Sequence, residues 1–312
     1  MDAFFLCGPT AIGKTELAHR LALRDGYDIL SADAMLVYRG MDIGTAKPTA
    51  RERAEVRYFG IDLAEPDQPF SVADYLDATA SQLRAARPAP LRPLLVAGGT
   101  GLYLNVLIHG LAEGPPPDSG QRREWETLAR DGGVGALRDE LRRRAPAWLE
   151  ALPDPDNPRR LIRALEWSAA GVAFPPRTWR RQPPPPLAGL CMASTSLRER
   201  IAARVRAMVR SGLWSETARL TAGHGLGKTA LQAIGYAEAQ SYLAGDLSEE
   251  AAIERIIIRT HRLAKRQMTW LRHQLPVEWI SLDAPRPIPD IMASISGTWN
   301  RHGPCRLRGI RL

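Results

Sequence analysis

The chain has 312 residues, with 42 Lys and Arg against 34 Asp and Glu and a pI near 9.8, so one large or two smaller domains are expected with a surface suited to polyanions or phosphate metabolites. Cys7, Cys191 and Cys305 are scattered without CxxC spacing, which excludes a disulfide framework and a cysteine zinc site. No basic leader precedes a long apolar run and no stretch reaches membrane-spanning length, so a soluble cytoplasmic protein is expected, with no membrane partner.

In chain order, Ala3–Cys7 reads as a buried strand and Lys14–Arg24 as a helix with Leu17, Ala18 and Leu21 on its apolar face. Between them, Gly8, Pro9, Thr10, Ala11, Ile12, Gly13, Lys14 and Thr15 complete the pattern G-x-x-x-x-G-K-[ST]. Glycines let backbone N–H groups close around an anion, and the helix N-terminus adds its dipole. Lys14 supplies a charge for a terminal phosphate, and the Thr15 hydroxyl can ligate magnesium. The chain is expected to bind a phosphorylated molecule.

Further strands are expected at Tyr27–Ala32, weakly at Phe59–Leu63, and at Pro93–Ala97, with helices at Ala50–Arg57 and Val72–Ala86. This alternation predicts an α/β fold, a parallel sheet core carrying the P-loop. Ser31-Ala32-Asp33 and Gly98-Gly99-Thr100-Gly101 fall at the carboxyl ends of strands, where such sheets bind ligands.

Gly114-Pro115-Pro116-Pro117 and the run Pro183 to Pro186 interrupt the pattern and read as stems of a helical insertion domain. The expected organisation is a core of 1–114 and 187–285, an insertion of 115–186 and a tail of 286–312. Residues 121–181 carry thirteen Arg, no Lys and nine acidic residues, with Trp125, Trp148, Trp167 and Trp179 among them. For most of these Arg residues a solvated surface over a Trp-containing core is the better reading, and a subset reading nucleic acid is the sharper one. A return strand at Leu187–Ala193 precedes helices at Leu197–Arg210, Leu213–Ala222, Ala230–Ala244 and Ser248–Arg272. In the last, Arg255, Arg259, Arg262 and Arg266 share a face, and no acidic residue occurs from Arg255 to His273. Gly223 to Thr229 imitates a second phosphate loop but is one residue short and follows a helix. A short strand at Glu278–Leu282 ends the readable pattern.

Asp33, at a strand end near bound phosphate, has three possible jobs: indirect magnesium ligand, general base, or cap for the segment that follows. Thr100 faces the same mouth of the sheet. Position alone leaves these readings open.

The chain closely resembles the tRNA dimethylallyltransferases, also called isopentenyl-tRNA transferases, from Phe4 to about His273. The matching segments are GPTAIGKT, SADAMLVYRGMDIGTAKP, AGGTGLYLNVLIHGL, DNPRRLIRALE, RIAARVRAMVRSGLWSE, AIGY and RTHRLAKRQMTWLRH. The resemblance implies transfer of a dimethylallyl group from dimethylallyl diphosphate to N6 of the adenine just 3′ of the anticodon, in tRNAs reading codons that start with U. It implies Asp33 as the base that takes the N6 proton, Thr100 as its positioning partner, and the loop from Gly8 to Thr15 with Mg2+ as the diphosphate site. It also implies Arg219 as a further diphosphate contact. Positions that touch tRNA in the family align with Asp33, Ala34, Met35 and Leu36, with Thr100, with Arg159, Arg160, Leu161, Ile162 and Arg163, with Gln232, Ala233, Ile234, Gly235, Tyr236 and Ala237, and with Arg122.

Three positions depart from the family pattern: Ala34 stands where Ser is usual, and Gln232 and Ala237 where basic residues are usual. A monomer acting on the anticodon stem-loop is expected. A metabolite kinase shares the P-loop and Asp outline, but no Arg-rich lid is evident. Prenylation of free adenine nucleotides would need neither the basic insertion nor the basic last helix. A nucleotide switch would need N-K-x-D and D-x-x-G motifs, which the sequence lacks.

Overall fold

A computed structural model describes residues 1–86, 92–112, 114–115, 118–172 and 183–310. The chain forms two compact units, Met1–Gly110 with Gln182–Leu312, and Leu111–Arg181. The first unit begins with β1 (Asp2–Cys7), α1 (Lys14–Asp25), β2 (Asp28–Ala32), α2 (Ala50–Glu55), β3 (Tyr58–Phe59), α3 (Val72–Ala85), β4 (Leu94–Gly98) and α4 (Gly101–His109). The second unit holds α5 (Ser119–Arg144), α6 (Pro146–Ala151) and α7 (Pro158–Ala169). The chain then returns as β5 (Leu187–Cys191), α8 (Ser194–Arg210), α9 (Leu213–Ala222), α10 (Tyr236–Leu243), α11 (Glu249–Gln274), β6 (Val277–Ser281), α12 (Ile288–His302) and β7 (Cys305–Arg306).

The sheet order is β3-β2-β4-β1-β5-β6, parallel throughout, with β7 antiparallel beside β1. Phe5, Leu6, Cys7, Ile29, Leu30, Leu95 and Val96 are fully buried, as central parallel strands covered on both faces require. Register fixes the site: Cys7 pairs with Gly98, and Gly98 with Ala32. The three chains leaving those strand ends, starting at Gly8, Asp33 and Gly99, therefore emerge side by side. Gly98 is needed for that closeness, since a Cβ there would lie 2.3 Å from the Ala32 carbonyl oxygen.

Four sequence expectations change. The weak strand Phe59–Leu63 is a two-residue strand, Tyr58–Phe59. The helix expected over Ala230–Ala244 is broken: a 3-10 turn at Ala230–Gln232 is separated from α10 by Gly235, whose φ of 115° is outside helical space. The segment 286–312, read as a tail, belongs to the first unit. Its helix α12 buries Ile291, Met292, Ile295 and Trp299, and β7 extends the sheet. Trp299 also donates its indole N–H to the Phe5 carbonyl at 3.0 Å. The insertion is bounded by Leu111 and Arg181 rather than by 115 and 186.

The second unit has its own core of Trp125, Leu137, Leu141, Trp148, Leu161, Leu165 and Trp167. Trp179, Pro116 and Pro117 lie outside the described residues. Many arginines of this unit hold acidic partners, as the solvated-surface reading expects: Arg138 with Asp156 at 2.7 Å, Arg143 with Glu140 at 2.6 Å and Arg144 with Glu140 at 2.5 Å. No helix among the described residues is long and apolar enough to cross a membrane.

Candidate active site

A cavity of about 290 Å³ opens at the carboxyl ends of β1, β2 and β4, and Lys14, Thr15, Ser31, Asp33, Arg204 and Gln267 are in its wall. The phosphate loop enters α1 through Gly13, held at φ 98°, a left-handed conformation that a side chain disfavours. Lys14 is half-buried, and its Nζ donates to the Pro9 carbonyl at 2.6 Å. Desolvation lowers its pKa to about 8, Asp33 pulls it back up, and Arg204 lowers it further. A cation held in reserve this way gains most when an anion arrives.

Asp33 leaves β2 and turns at once: its Oδ1 accepts the Met35 N–H at 2.9 Å. The capping reading is therefore correct for one oxygen, while the carboxylate also lies in the cavity wall. Thr100 reaches the same turn from the other side. Its Oγ1 accepts the Ala34 N–H at 3.2 Å and its N–H donates to the Ala32 carbonyl at 3.3 Å. Thr100 thus fixes the backbone that carries Asp33.

Sequence reasoning missed three residues that the fold brings here. Arg200 and Arg204, one turn apart on α8, both face the phosphate loop. The Arg200 Nε donates to the Ala11 carbonyl at 3.3 Å, and Arg204 lines the cavity while donating to the Thr45 carbonyl at 3.5 Å. Burial lowers the Arg204 pKa and Asp33 offsets that fall. Gln267 of α11 accepts the Thr10 N–H at 2.8 Å. The i, i+4 pair in RIAARVRAM is the available signal for the arginines. Arg219 is not in the cavity wall; it is exposed on α9 and its Nη2 donates to the Gly40 carbonyl at 3.4 Å.

The other residues expected to touch tRNA divide by burial. In the second unit Arg159 and Arg160 are exposed on α7, whereas Leu161 and Ile162 are core. Arg122 and Arg163 pair with the buried Glu166 at 3.1 and 2.8 Å, and Arg163 also stacks over Trp167. In the first unit Gln232 is exposed and Ile234 and Ala237 are half-buried, while Ala233, Gly235 and Tyr236 are buried. Of the segment after Asp33, Ala34 and Met35 are half-buried and Leu36 is buried against the core, though it also borders the cavity.

The long motif MDIGTAKP is architectural. Glu216 of α9, itself buried, accepts the N–H groups of Asp42 at 3.0 Å, Ile43 at 2.9 Å and Gly44 at 3.2 Å, and the Tyr236 hydroxyl at 2.7 Å. Lys47 is buried between Asp42 and Asp62, at 2.8 and 2.7 Å, and donates to the Tyr38 carbonyl at 2.6 Å. Burial raises the Asp62 pKa, but Lys47 and Arg53 outweigh it and the net shift is downward.

A parallel sheet with a strand–P-loop–helix start, flanking cations and a carboxylate just past the end of β2, with β4 between that strand and β1, defines a P-loop protein with a site suited to phosphate-bearing ligands. Comparison with known proteins narrows the class. One matching family model is described as IPP transferase, over residues 36–274, and a second as isopentenyl transferase, over residues 1–62. The tRNA dimethylallyltransferase 1 of Pelobacter propionicus is 40% identical over 286 residues, 88% of this chain and 91% of that protein. The tRNA dimethylallyltransferase of Anaeromyxobacter dehalogenans is 40% identical over 301 residues, 94% of this chain and 98% of that protein. The crystal structure of the full-length tRNA isopentenylpyrophosphate transferase from Bacillus halodurans is 37% identical with a TM-score of 0.67, covering 96% of this chain and 97% of that one. The chain belongs to the IPP transferase family.

Proposed function

We propose that the protein transfers the dimethylallyl group of dimethylallyl diphosphate to N6 of the adenine just 3′ of the anticodon, in tRNAs reading codons that start with U, and releases diphosphate. One observation carries the reading: two cations suited to a diphosphate, Lys14 and Arg204, share a cavity with the Asp33 carboxylate. A phosphate site alone fits many reactions. A carboxylate set among the cations suits a reaction that takes a proton from a nucleophile while negative charge leaves on phosphate.

The N6 lone pair of adenine is delocalised into the ring, so N6 attacks poorly unless its proton is removed as the bond forms. Asp33 accepts that proton through the oxygen not committed to the Met35 N–H. The bond from the allylic carbon to the diphosphate oxygen breaks, the N6–carbon bond forms, and the electron pair departs with diphosphate. Lys14, Arg204 and the loop amides stabilise that developing charge.

Mg2+ is part of this reading. Among the described residues no three His, Cys, Asp or Glu side chains gather into a metal cage. Thr15, on the first turn of α1 and in the cavity wall, fits an ion that keeps several waters and takes its other ligands from phosphate oxygens. When bound there, the ion would neutralise charge on the diphosphate. The tRNA anticodon stem-loop is the acceptor, with the exposed Arg159 and Arg160 of the second unit among its contacts. The protein acts as a monomer in the cytoplasm.

Incubation with labelled dimethylallyl diphosphate and an anticodon stem-loop tests the reading. Label in the RNA with release of diphosphate supports it; consumption of ATP with no use of the prenyl donor would make the protein a kinase.

A further inference from the structure

Ser31 sits on β2 two residues before Asp33. The pleat puts Ile29, Ser31 and Asp33 on one face of that strand, and all three are in the cavity wall. The Ser31 main chain is locked. It pairs with Ala97 of β4, and the fully buried Tyr75 donates its hydroxyl to the Ser31 carbonyl at 2.6 Å.

The side chain, by contrast, has nothing to do within the protein. Ser31 is 4% exposed and its Oγ has no hydrogen-bond partner. A hydroxyl buried that way is unfavourable, and alanine at the same place would avoid the cost. The Oγ is closed to solvent as it stands, so a ligand meets it only after the side chain turns about its one bond to another staggered position, and no hydrogen bond has to break for that turn. The same wall holds Lys14, Thr15 and Arg204, side chains that an anion selects, together with the Asp33 carboxylate.

We propose that the Ser31 hydroxyl donates a hydrogen bond to an oxygen of the diphosphate held in this cavity, which makes it a substrate-contacting residue. The inference rests on the dimethylallyl diphosphate reading above. A donor on a locked strand needs no reorganisation as the leaving group gathers charge, so it helps departure as well as binding.

The test is calorimetric titration of inorganic diphosphate, at fixed magnesium chloride, into wild type, Ser31→Ala and Ser31→Cys. Loss of a hydrogen bond to a charged group should weaken diphosphate binding by about 10- to 100-fold in Ser31→Ala. The thiol of Ser31→Cys, a weaker donor, should fall between the two. The ligand-free melting temperature of Ser31→Ala should equal or exceed that of wild type, because an unpartnered hydroxyl has been removed. Equal diphosphate affinity in wild type and Ser31→Ala overturns the proposal, as does a lost affinity accompanied by a lowered melting temperature. Wild type that binds no diphosphate, or does not prenylate the stem-loop, overturns the functional reading and this inference with it. Normal wild-type transfer beside an unaffected Ser31→Ala overturns the role of Ser31 alone.

Discussion

Gln267 closes the phosphate loop from near the far end of the chain, its Oε1 accepting the Thr10 N–H at 2.8 Å. The bond fixes a loop amide before any ligand arrives. Gln267→Leu removes the acceptor and should cost about 1 kcal/mol of stability with a few-fold loss in diphosphate affinity. Gln267→Glu keeps an oxygen for Thr10 but adds negative charge in the cavity wall. It should stay close to wild type in stability and bind diphosphate more weakly than the Leu variant. Calorimetry on both decides. Glu binding better than Leu would mean that the loop, rather than the field in the cavity, sets affinity.

Glu216 ties three backbone amides and the Tyr236 hydroxyl to one buried carboxylate. Glu216→Ala strands all four donors, and because each buried donor left unpaired costs about 1–3 kcal/mol, a loss of several kcal/mol is expected. Tyr236→Phe removes one donor and should cost about 1 kcal/mol. Denaturant midpoints measure both. A Tyr236→Phe protein of wild-type stability with weakened tRNA binding would return Tyr236 to the RNA surface.

That hub shows what can be read in the chain and what cannot. The phosphate loop, the parallel strands and Asp33 are local: spacing and hydrophobic runs announce them. Glu216 reaches Asp42 across 174 residues and Gln267 reaches Thr10 across 257, and nothing local in their segments marks either side chain as a backbone anchor. The segment after Leu282 is unreadable for a similar reason. The Trp299 indole finds its partner at Phe5, on a strand at the opposite end of the chain. The spacing of Arg204 from Arg200 puts the two on one helix face, a pairing that Arg219 lacks, but only the orientation of α8 against the loop shows that this face meets the phosphate site.

Arg159 and Arg160 are exposed at the start of α7, whereas Arg163 is committed to Glu166 and Trp167. The double change Arg159→Ala with Arg160→Ala should therefore flatten the dependence of log tRNA affinity on log salt by about 0.7–0.9 for each phosphate no longer neutralised. Arg163→Ala should instead lower the melting point, because it leaves Glu166 with one partner fewer. Filter binding across a salt series, with melting curves, separates the two. An unchanged slope in the double variant removes α7 from the RNA surface.

Asp33→Asn keeps the turn, since the amide oxygen can still accept the Met35 N–H, but its side chain cannot take a proton at neutral pH. General-base loss costs about 10²- to 10⁴-fold in rate. Single-turnover transfer to a stem-loop should fall by that factor, with diphosphate and tRNA affinity and the melting point close to wild type. Asn that transfers normally would leave Asp33 with its turn alone.

Lys14 sets the pH dependence of the donor site. Burial brings its pKa down to about 8, against partial compensation from Asp33. Only the ammonium form attracts diphosphate, so affinity for dimethylallyl diphosphate should hold below pH 8 and fall as pH rises through it. Folding responds with the opposite sign. An unfolded chain keeps this proton up to about 10.5, the native protein releases it near 8, and so stability of the free protein rises with pH between those values. Lys14→Arg stays charged throughout, which should flatten the affinity profile above pH 8 while any ionisation of the ligand itself remains. Lys14→Ala should bind weakly at every pH and lose kcat as well, because the missing charge is needed most as diphosphate departs. Titration of the donor into the three proteins from about pH 6.5 to 9.5 reads these differences. Parallel profiles for wild type and Lys14→Arg would place the titrating group elsewhere, and wild-type turnover by Lys14→Ala would remove Lys14 from the site.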